Sequence, residues 1–110
     1  MTLDEFEVMI ATAVARSPLC DVVVVQESAE QTLKLRVLLY IDAYIDIYFN
    51  ERNGTTSYAL VQGGQRVFAA DNARGWHYHP FEEPGKHVWL DRAMTFVEFL
   101  AAIQRRFSWR

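Results

Sequence analysis

Hydrophobic residues recur every three to four positions at both ends of the chain and every second position in the middle. At the N-terminus, apolar side chains follow helical spacing from Leu3 to Val14, and Thr2 with Glu5 forms a capping-box pattern. The middle of the chain alternates apolar and polar residues, which predicts half-buried strands. The predicted strands cover residues 20–26, 33–41, 45–49, 55–62 and 66–70.

The last predicted element is a second helix, which begins at another capping box formed by Thr95 and Glu98. Its apolar stripe consists of Phe96, Phe99, Leu100, Ile103 and Phe107. Because the connections between strands are short, neighbouring strands are expected to be antiparallel. We predict one α+β domain over residues 1–110. It is an antiparallel meander of four to five strands, with the N-terminal and C-terminal helices packed on one face.

Composition is typical of a globular protein, with 51% hydrophobic and 23% charged residues. Cys20 is the only cysteine, which excludes an internal disulfide and a multi-cysteine zinc site. No stretch is apolar for long enough to cross a bilayer, and the acidic N-terminus lacks the pattern of a signal peptide. A cytoplasmic protein without membrane contact is therefore expected.

Charge is distributed unevenly along the chain. Residues 1–55 carry nine acids and four bases, a charge of −5, and residues 56–110 carry five acids and seven bases, a charge of +2, for a net charge of −3. The net charge argues against a strong nucleic-acid binder. The basic half, however, includes the tail at 105–110, and this asymmetry is compatible with a local phosphate-binding face or a partner of opposite charge.

One short segment, residues 71–87, contains all three histidines of the chain. Two glycines and two prolines interrupt it, so it is predicted to be a long loop, and such loops are often functional. If the segment is extended, His77 and His79 point to the same side. Histidine exchanges protons near neutral pH, so this segment is the best candidate for a chemical site.

These residue types suit cleavage of RNA by phosphoryl transfer. One imidazole would take the proton of a ribose 2′-hydroxyl and another would protonate the leaving oxygen. A nearby cation would stabilise the charge of the transition state, and an aromatic ring would stack on an unpaired base. The predicted catalytic residues are His77, His79, His87, Arg74 and Lys86, and the predicted RNA-binding residues are Trp76, Tyr78 and Arg66.

Two other interpretations use the same segment. His77 and His79, with His87 or a carboxylate from Asp71, Glu82 or Asp91, could form a three-ligand metal site with an open position. This spacing is not a recognised zinc signature, so no metal or other cofactor is predicted. Alternatively, the aromatic residues of the segment plug one end of the sheet and the histidines are hydrogen-bonding anchors.

A second group of aromatic residues lies in the predicted hairpin. Tyr40, Tyr44 and Tyr48 recur every fourth residue, so Tyr44 and Tyr48 share one strand face. That face is either a base-stacking platform or a packing surface, and packing is favoured. It is also compatible with a homodimer.

The block from Trp76 to Pro80 and several stretches between residues 45 and 100 resemble the TumE family, the toxins of bacterial and archaeal toxin–antitoxin pairs. The similarity covers most of residues 40–100, and its most specific part is the block Trp76-His77-Tyr78-His79-Pro80. Ala43 stands where relatives tend to have glycine in the hairpin turn. The other matching stretches are 45–52, 57–60, 71–72, 75–81, His87 and 95–100.

The resemblance implies a small cytoplasmic toxin that a cognate antitoxin binds and neutralises, but it assigns no catalytic residues. Together with the histidines, it leads us to expect a toxin that acts on RNA as a metal-independent ribonuclease. The expected partners are the antitoxin and RNA. The alternatives are a non-catalytic module that binds nucleic acid or protein, and a metal-dependent hydrolase.

Overall fold

A computed structural model describes residues 1–107 of the chain. Ser108, Trp109 and Arg110, the end of the basic tail, lie outside the described residues. Residues 1–107 form two helices and one antiparallel sheet whose seven strands follow sequence order, which confirms the α+β class and the meander. The elements are α1 (Leu3–Ala15), β1 (Cys20–Ser28), β2 (Thr32–Leu39), β3 (Tyr44–Asn50), β4 (Thr56–Gln62), β5 (Gln65–Asp71), β6 (His77–His79), β7 (Val88–Trp89) and α2 (Phe96–Phe107).

The prediction of four to five strands is wrong, because the sheet has seven. The two additional strands, β6 and β7, lie at the end of the sheet: β6 falls inside the segment predicted to be a loop, and β7 directly follows that segment. They contain only three and two residues, too few for an alternating pattern to be recognised. Their extended conformation comes from pairing with β5 and with each other.

Both helices begin at the capping boxes that the sequence predicts. Thr2 Oγ1 accepts a hydrogen bond from the Glu5 amide at 3.1 Å, and Glu5 Oε1 accepts one from the Thr2 amide at 2.8 Å. At α2, Thr95 Oγ1 accepts from the Glu98 amide at 3.1 Å and Glu98 Oε1 from the Thr95 amide at 2.9 Å. These bonds satisfy amide groups that have no partner inside the helix.

Both helices pack on one face of the sheet, as predicted; we call it the covered face. Phe6 of α1 stacks on Phe49 of β3 with ring centroids 4.2 Å apart. Phe99 of α2 contacts Tyr58 of β4 at 5.3 Å and Phe68 of β5 at 4.9 Å. These rings belong to a single hydrophobic core, and the opposite side of the sheet, the open face, has no helix against it within residues 1–107.

The predicted tyrosine group is split by the hairpin. Tyr44 and Tyr48 lie on the open face of β3, half-buried, whereas Tyr40 lies in the turn before β3 and is 72% exposed. A homodimer through this group stays a prediction. Among residues 1–107, neither helix has the length and apolar character that crossing a membrane requires.

Candidate functional site

Strand pairing at the C-terminal edge of the sheet brings the histidines together. Residues paired across neighbouring strands project from the same face. His79 pairs with Ala69, and His77 pairs with Asp71 on one side and with Trp89 on the other. His77 and His79 therefore project from the open face, which confirms that they share a side. Tyr78, between them, points to the covered face.

The three imidazoles meet on the open face and form what we call the histidine cluster: His77, His79 and His87. The ring centroids are 4.5 to 5.2 Å apart. One nitrogen of each ring lies within 4.8 Å of the corresponding nitrogens of the others. His77 and His79 are 5% and 4% exposed, and His87 is exposed to solvent. Two rings of the cluster are therefore buried, and the third, His87, is open to solvent.

Backbone carbonyls fix the orientation of the two buried rings. Nδ1 of His77 lies 3.1 Å from the carbonyl oxygen of Gly75, and Nδ1 of His79 lies 3.0 Å from that of Pro84. A carbonyl oxygen only accepts, so Nδ1 carries the proton in both rings. In the neutral ring, the lone pair is then on Nε2, available to take a proton or to bind a metal ion.

A tight turn before β6 supplies the first of these carbonyls. The amide of Gly75 donates to the carbonyl of Asn72 at 3.1 Å. Gly75 has φ +105°, a region that glycine enters without steric cost, and Arg74 has φ +60°. Positive φ is uncommon for a residue other than glycine. The turn places the Arg74 side chain beside the cluster.

The cluster borders a hollow of about 420 Å³ on the open face. Two guanidinium groups, one carboxylate and an indole line it together with the imidazoles. Oδ2 of Asp71 lies 3.4 Å from Nε2 of His77, so Asp71 is a partner for a protonated His77 ring. The lining residues are Arg66, Asp71, Ala73, Arg74, His77, His79, His87 and Trp89.

His79 has a distinct electrostatic environment within the cluster. Burial lowers the pKa of His79 below the ordinary value of 6.5, and the positive charges of Arg66 and His87 lower it further. The hydrogen bond to Pro84 opposes these effects only in part. His79 is therefore neutral at neutral pH, with its Nε2 lone pair free to accept a proton.

The predicted site residues do not all gather at this hollow. Arg66 and Arg74 line it, whereas Lys86 is exposed in the turn before His87 and does not. Trp76 and Tyr78 pack toward the covered face, with Trp76 6.2 Å from Tyr58 and Tyr78 6.3 Å from Phe68. They cannot stack on a base held at the histidine cluster, because the sheet lies between.

Trp89 is the aromatic residue that lies beside the cluster, although it is not among the predicted site residues. Its ring is 4.9 Å from that of His77 and it is 57% exposed. The alternation His87-Val88-Trp89 is the signal that could have placed it on the same face as the histidines.

The structure has some features of a metal site and some features of hydrogen-bonding anchors. Of the three carboxylates considered as metal ligands, only Asp71 lines the hollow; Glu82 lies 3.8 Å from Arg106 Nη1 instead. The three imidazoles offer nitrogens within 4.8 Å of one another, close enough to share one ion without a carboxylate. Hydrogen bonds to Gly75 and Pro84 are those expected of structural anchors, but they leave Nε2 available.

Comparison of the chain with models of protein families, with curated proteins and with solved structures gave no match.

Proposed function

We propose that the protein is the toxin of a toxin–antitoxin pair and that it cleaves RNA at the histidine cluster without a metal ion. The main support is the grouping of three imidazoles with Arg66 and Arg74 around one hollow. Within residues 1–107, Asp71 is the only acid that lines the hollow, so the two arginines make the hollow positively charged even when all three rings are neutral. Such a hollow attracts a phosphodiester and repels a divalent cation.

His79 is the proposed general base, because its ring is neutral and its Nε2 is free. It takes the proton of a ribose 2′-hydroxyl, and the 2′-oxygen attacks the adjacent phosphorus. The bond from phosphorus to the 5′-oxygen breaks, which leaves a 2′,3′-cyclic phosphate on one fragment. His77, whose Nε2 lies 3.4 Å from Oδ2 of Asp71, is the proposed acid that gives a proton to the departing 5′-oxygen.

The remaining residues of the hollow hold the substrate. Arg66 and Arg74 stabilise the negative charge that develops on the phosphoryl oxygens, a task for fixed cations in a partly enclosed site. Trp89 is exposed and adjacent to His77, so a base next to the scissile phosphate can stack on its ring. Trp89 takes the stacking role expected for Trp76 or Tyr78.

The proposal is tested by expression in a bacterial host and by incubation of the purified protein with single-stranded RNA in a metal chelator. The wild type should arrest growth and cut the RNA, and a His77→Ala, His79→Ala double variant should do neither. Tyr40→Ala, an exposed change outside the hollow, is the control and should behave like the wild type. Equal toxicity of the double variant, or RNA that is bound but left intact, would refute the catalytic proposal. The second result would favour a binding module.

A metal-dependent hydrolase is the second candidate, and the convergence of the three imidazole nitrogens favours it. A histidine that binds a metal through one ring nitrogen commonly donates a hydrogen bond from the other to a carbonyl oxygen. His77 and His79 each make such a hydrogen bond through Nδ1. Elemental analysis of protein purified without an affinity tag distinguishes the candidates. Stoichiometric zinc with chelator-sensitive cleavage supports the hydrolase, and metal-free protein that cuts RNA in chelator excludes it.

The antitoxin as partner rests on the resemblance alone. Co-expression with the product of the neighbouring gene should restore growth and yield a stable complex. A neighbouring gene product that neither binds the protein nor restores growth would count against the toxin–antitoxin assignment, whether or not the protein cleaves RNA.

A further inference from the structure

Strand register places a row of open-face side chains in line with the histidine cluster. Each pair of neighbours in this row is paired across adjacent strands, so all of its members project from one face. The row runs from β2 to β7 and consists of Lys34, Tyr48, Ser57, Asp71, His77 and Trp89. The row therefore leads from the cluster, at one end of the open face, across the sheet to β2.

The surface between the cluster and Tyr48 is shallow. Ser57 lies in the row, and Ala59 and Ala69 lie in the adjacent row that leads to His79. None of these side chains is long enough to block the face. A second hollow of about 300 Å³ follows at the far end, where Lys34 and Tyr48 line it. Two hollows thus lie on the open face, and only small side chains separate them.

The far hollow offers an aromatic ring and cations. Tyr48 is half-buried and presents its ring to this hollow. Beside it, the Arg36 guanidinium lies 3.9 Å from the Tyr44 ring centre and is held by two hydrogen bonds to Asp46, at 2.8 and 3.1 Å. Lys34 is exposed and forms no ion pair within residues 1–107. Stacking surfaces beside cations are the features that hold single-stranded nucleic acid.

Charge along the line favours a polyanion. The two acids on the path have partners, since Asp46 binds Arg36 and Asp71 lies against His77. Along this line, three cations have no acidic partner within residues 1–107: Lys34 at the far end, and Arg66 and Arg74 at the cluster. Glu27 on β1 stands opposite Lys34, so the positive stretch ends at β2.

Three strand spacings separate β6 from β3, a distance of about 14 Å, which is the length of a few nucleotides. We propose that the open face binds single-stranded RNA across the strands, with the scissile phosphate at the histidine cluster, a base several nucleotides away on Tyr48 and a phosphate on Lys34. The proposal rests on the proposed function for the identity of the polymer. It adds the substrate's single-stranded character and a second binding subsite.

A 2′-O-methyl oligonucleotide tests the subsite, because it lacks the 2′-hydroxyl that the cleavage step requires. Binding of a labelled octanucleotide and of a dinucleotide is measured by fluorescence anisotropy in chelator. The octanucleotide should bind more tightly than the dinucleotide. Tyr48→Ala should weaken octanucleotide binding about five- to a hundredfold, the loss of one stacked base. Lys34→Gln should reduce the slope of log K against log salt by about 0.7, the loss of one phosphate contact.

Two further variants control for structure. Tyr48→Phe retains the ring and should bind the octanucleotide like the wild type, and Tyr40→Ala removes an exposed tyrosine outside the path and should also bind normally. Circular dichroism and thermal unfolding confirm that each variant is folded. If Tyr48→Ala does not fold, the Lys34→Gln slope still tests the path.

The outcomes for the subsite and for the proposed function are separable. Wild-type cleavage of RNA combined with octanucleotide binding that neither Tyr48→Ala nor Lys34→Gln changes would overturn the subsite and leave the ribonuclease intact. Binding that depends on Tyr48 and Lys34, without cleavage of unmodified RNA, would support the subsite and remove the catalytic proposal. No binding of the octanucleotide at low salt would overturn the subsite.

Discussion

The covered face and the open face of the sheet are built from alternate residues of the same strands, but the covered face forms the core and the open face carries the candidate site. In β4, Tyr58 is buried against Phe99 of α2, whereas its neighbour Ser57 lies on the open face toward Asp71. In β6, Tyr78 packs near Phe68, whereas His77 and His79 face the hollow. Adjacent residues thus belong to the core and to the candidate site in turn. Stability and activity should therefore respond to different substitutions in the same strands.

The largest expected effect is on activity, from His79→Asn. The asparagine amide can still donate to the Pro84 carbonyl, as Nδ1 of His79 does, but it cannot take a proton. RNA cleavage should fall about 10²–10⁴-fold, the usual contribution of a general base. The free energy of unfolding should change far less than in a core variant. Single-turnover cleavage and urea unfolding measure the two effects. Cleavage at the wild-type rate would remove His79 from the mechanism.

On the covered face, Phe99→Ala is expected to reduce stability and to leave the activity of the folded protein unchanged. This ring is fully buried between Tyr58 and Phe68, so its removal leaves a cavity. The free energy of unfolding should decrease by about 3–5 kcal/mol. Urea or thermal unfolding measures this. The protein that remains folded should retain its cleavage rate per folded molecule. A stable variant that has lost activity would show that the two faces are not separable.

A smaller effect on stability is expected at the start of α2. Thr95→Ala removes the hydroxyl that accepts from the Glu98 amide. The loss of such a cap costs about 1 kcal/mol. Thermal unfolding should detect it, and Thr95→Ser, which retains the acceptor, is the matched control. Equal destabilisation by both variants would mean that the cap is not the cause.

The smallest expected effect is a pH dependence of stability that comes from the open face. The pKa of His79 is lowered from 6.5 in the folded protein, mainly by burial, so the unfolded chain binds the proton more readily. This contribution to the free energy of unfolding is complete above pH 6.5 and decreases as the pH falls toward the folded pKa. Urea unfolding between about pH 7.5 and pH 5 measures the slope. His79→Asn should reduce the dependence of the unfolding free energy on pH. An unchanged dependence would mean that other groups cause it.

Most of the fold could be predicted from the sequence because its signals are local. The capping boxes at Thr2 and Thr95, the helical stripes and the alternation in the five longer strands each depend on neighbouring residues. The strands β6 and β7 could not be predicted this way. With three and two residues, they are strands because β5 offers a free edge, and that pairing is not encoded in their own pattern.

The candidate site was located from the sequence, but its composition was only partly predicted. All three histidines and both lining arginines were among the predicted residues. Trp89 lies beside the histidines because it pairs with His77 in the sheet, whereas Trp76 precedes β6 and packs near Tyr58 on the covered face. Both placements depend on the pairing of β6 and β7, which their own short sequences do not encode. The hydrogen bonds from His77 and His79 to backbone carbonyls likewise depend on the turns around β6.

The most direct test of the proposed chemistry is the structure of the RNA ends after cleavage. Tag-free protein is incubated with single-stranded RNA in excess chelator, and the fragments are examined by mass spectrometry. Attack by a 2′-hydroxyl predicts a 2′,3′-cyclic phosphate on one fragment and a 5′-hydroxyl on the other, with both absent in His79→Asn. Fragments that carry a 5′-phosphate, or cleavage that occurs only when a divalent metal is added, would contradict the assignment of the histidine cluster to acid–base catalysis.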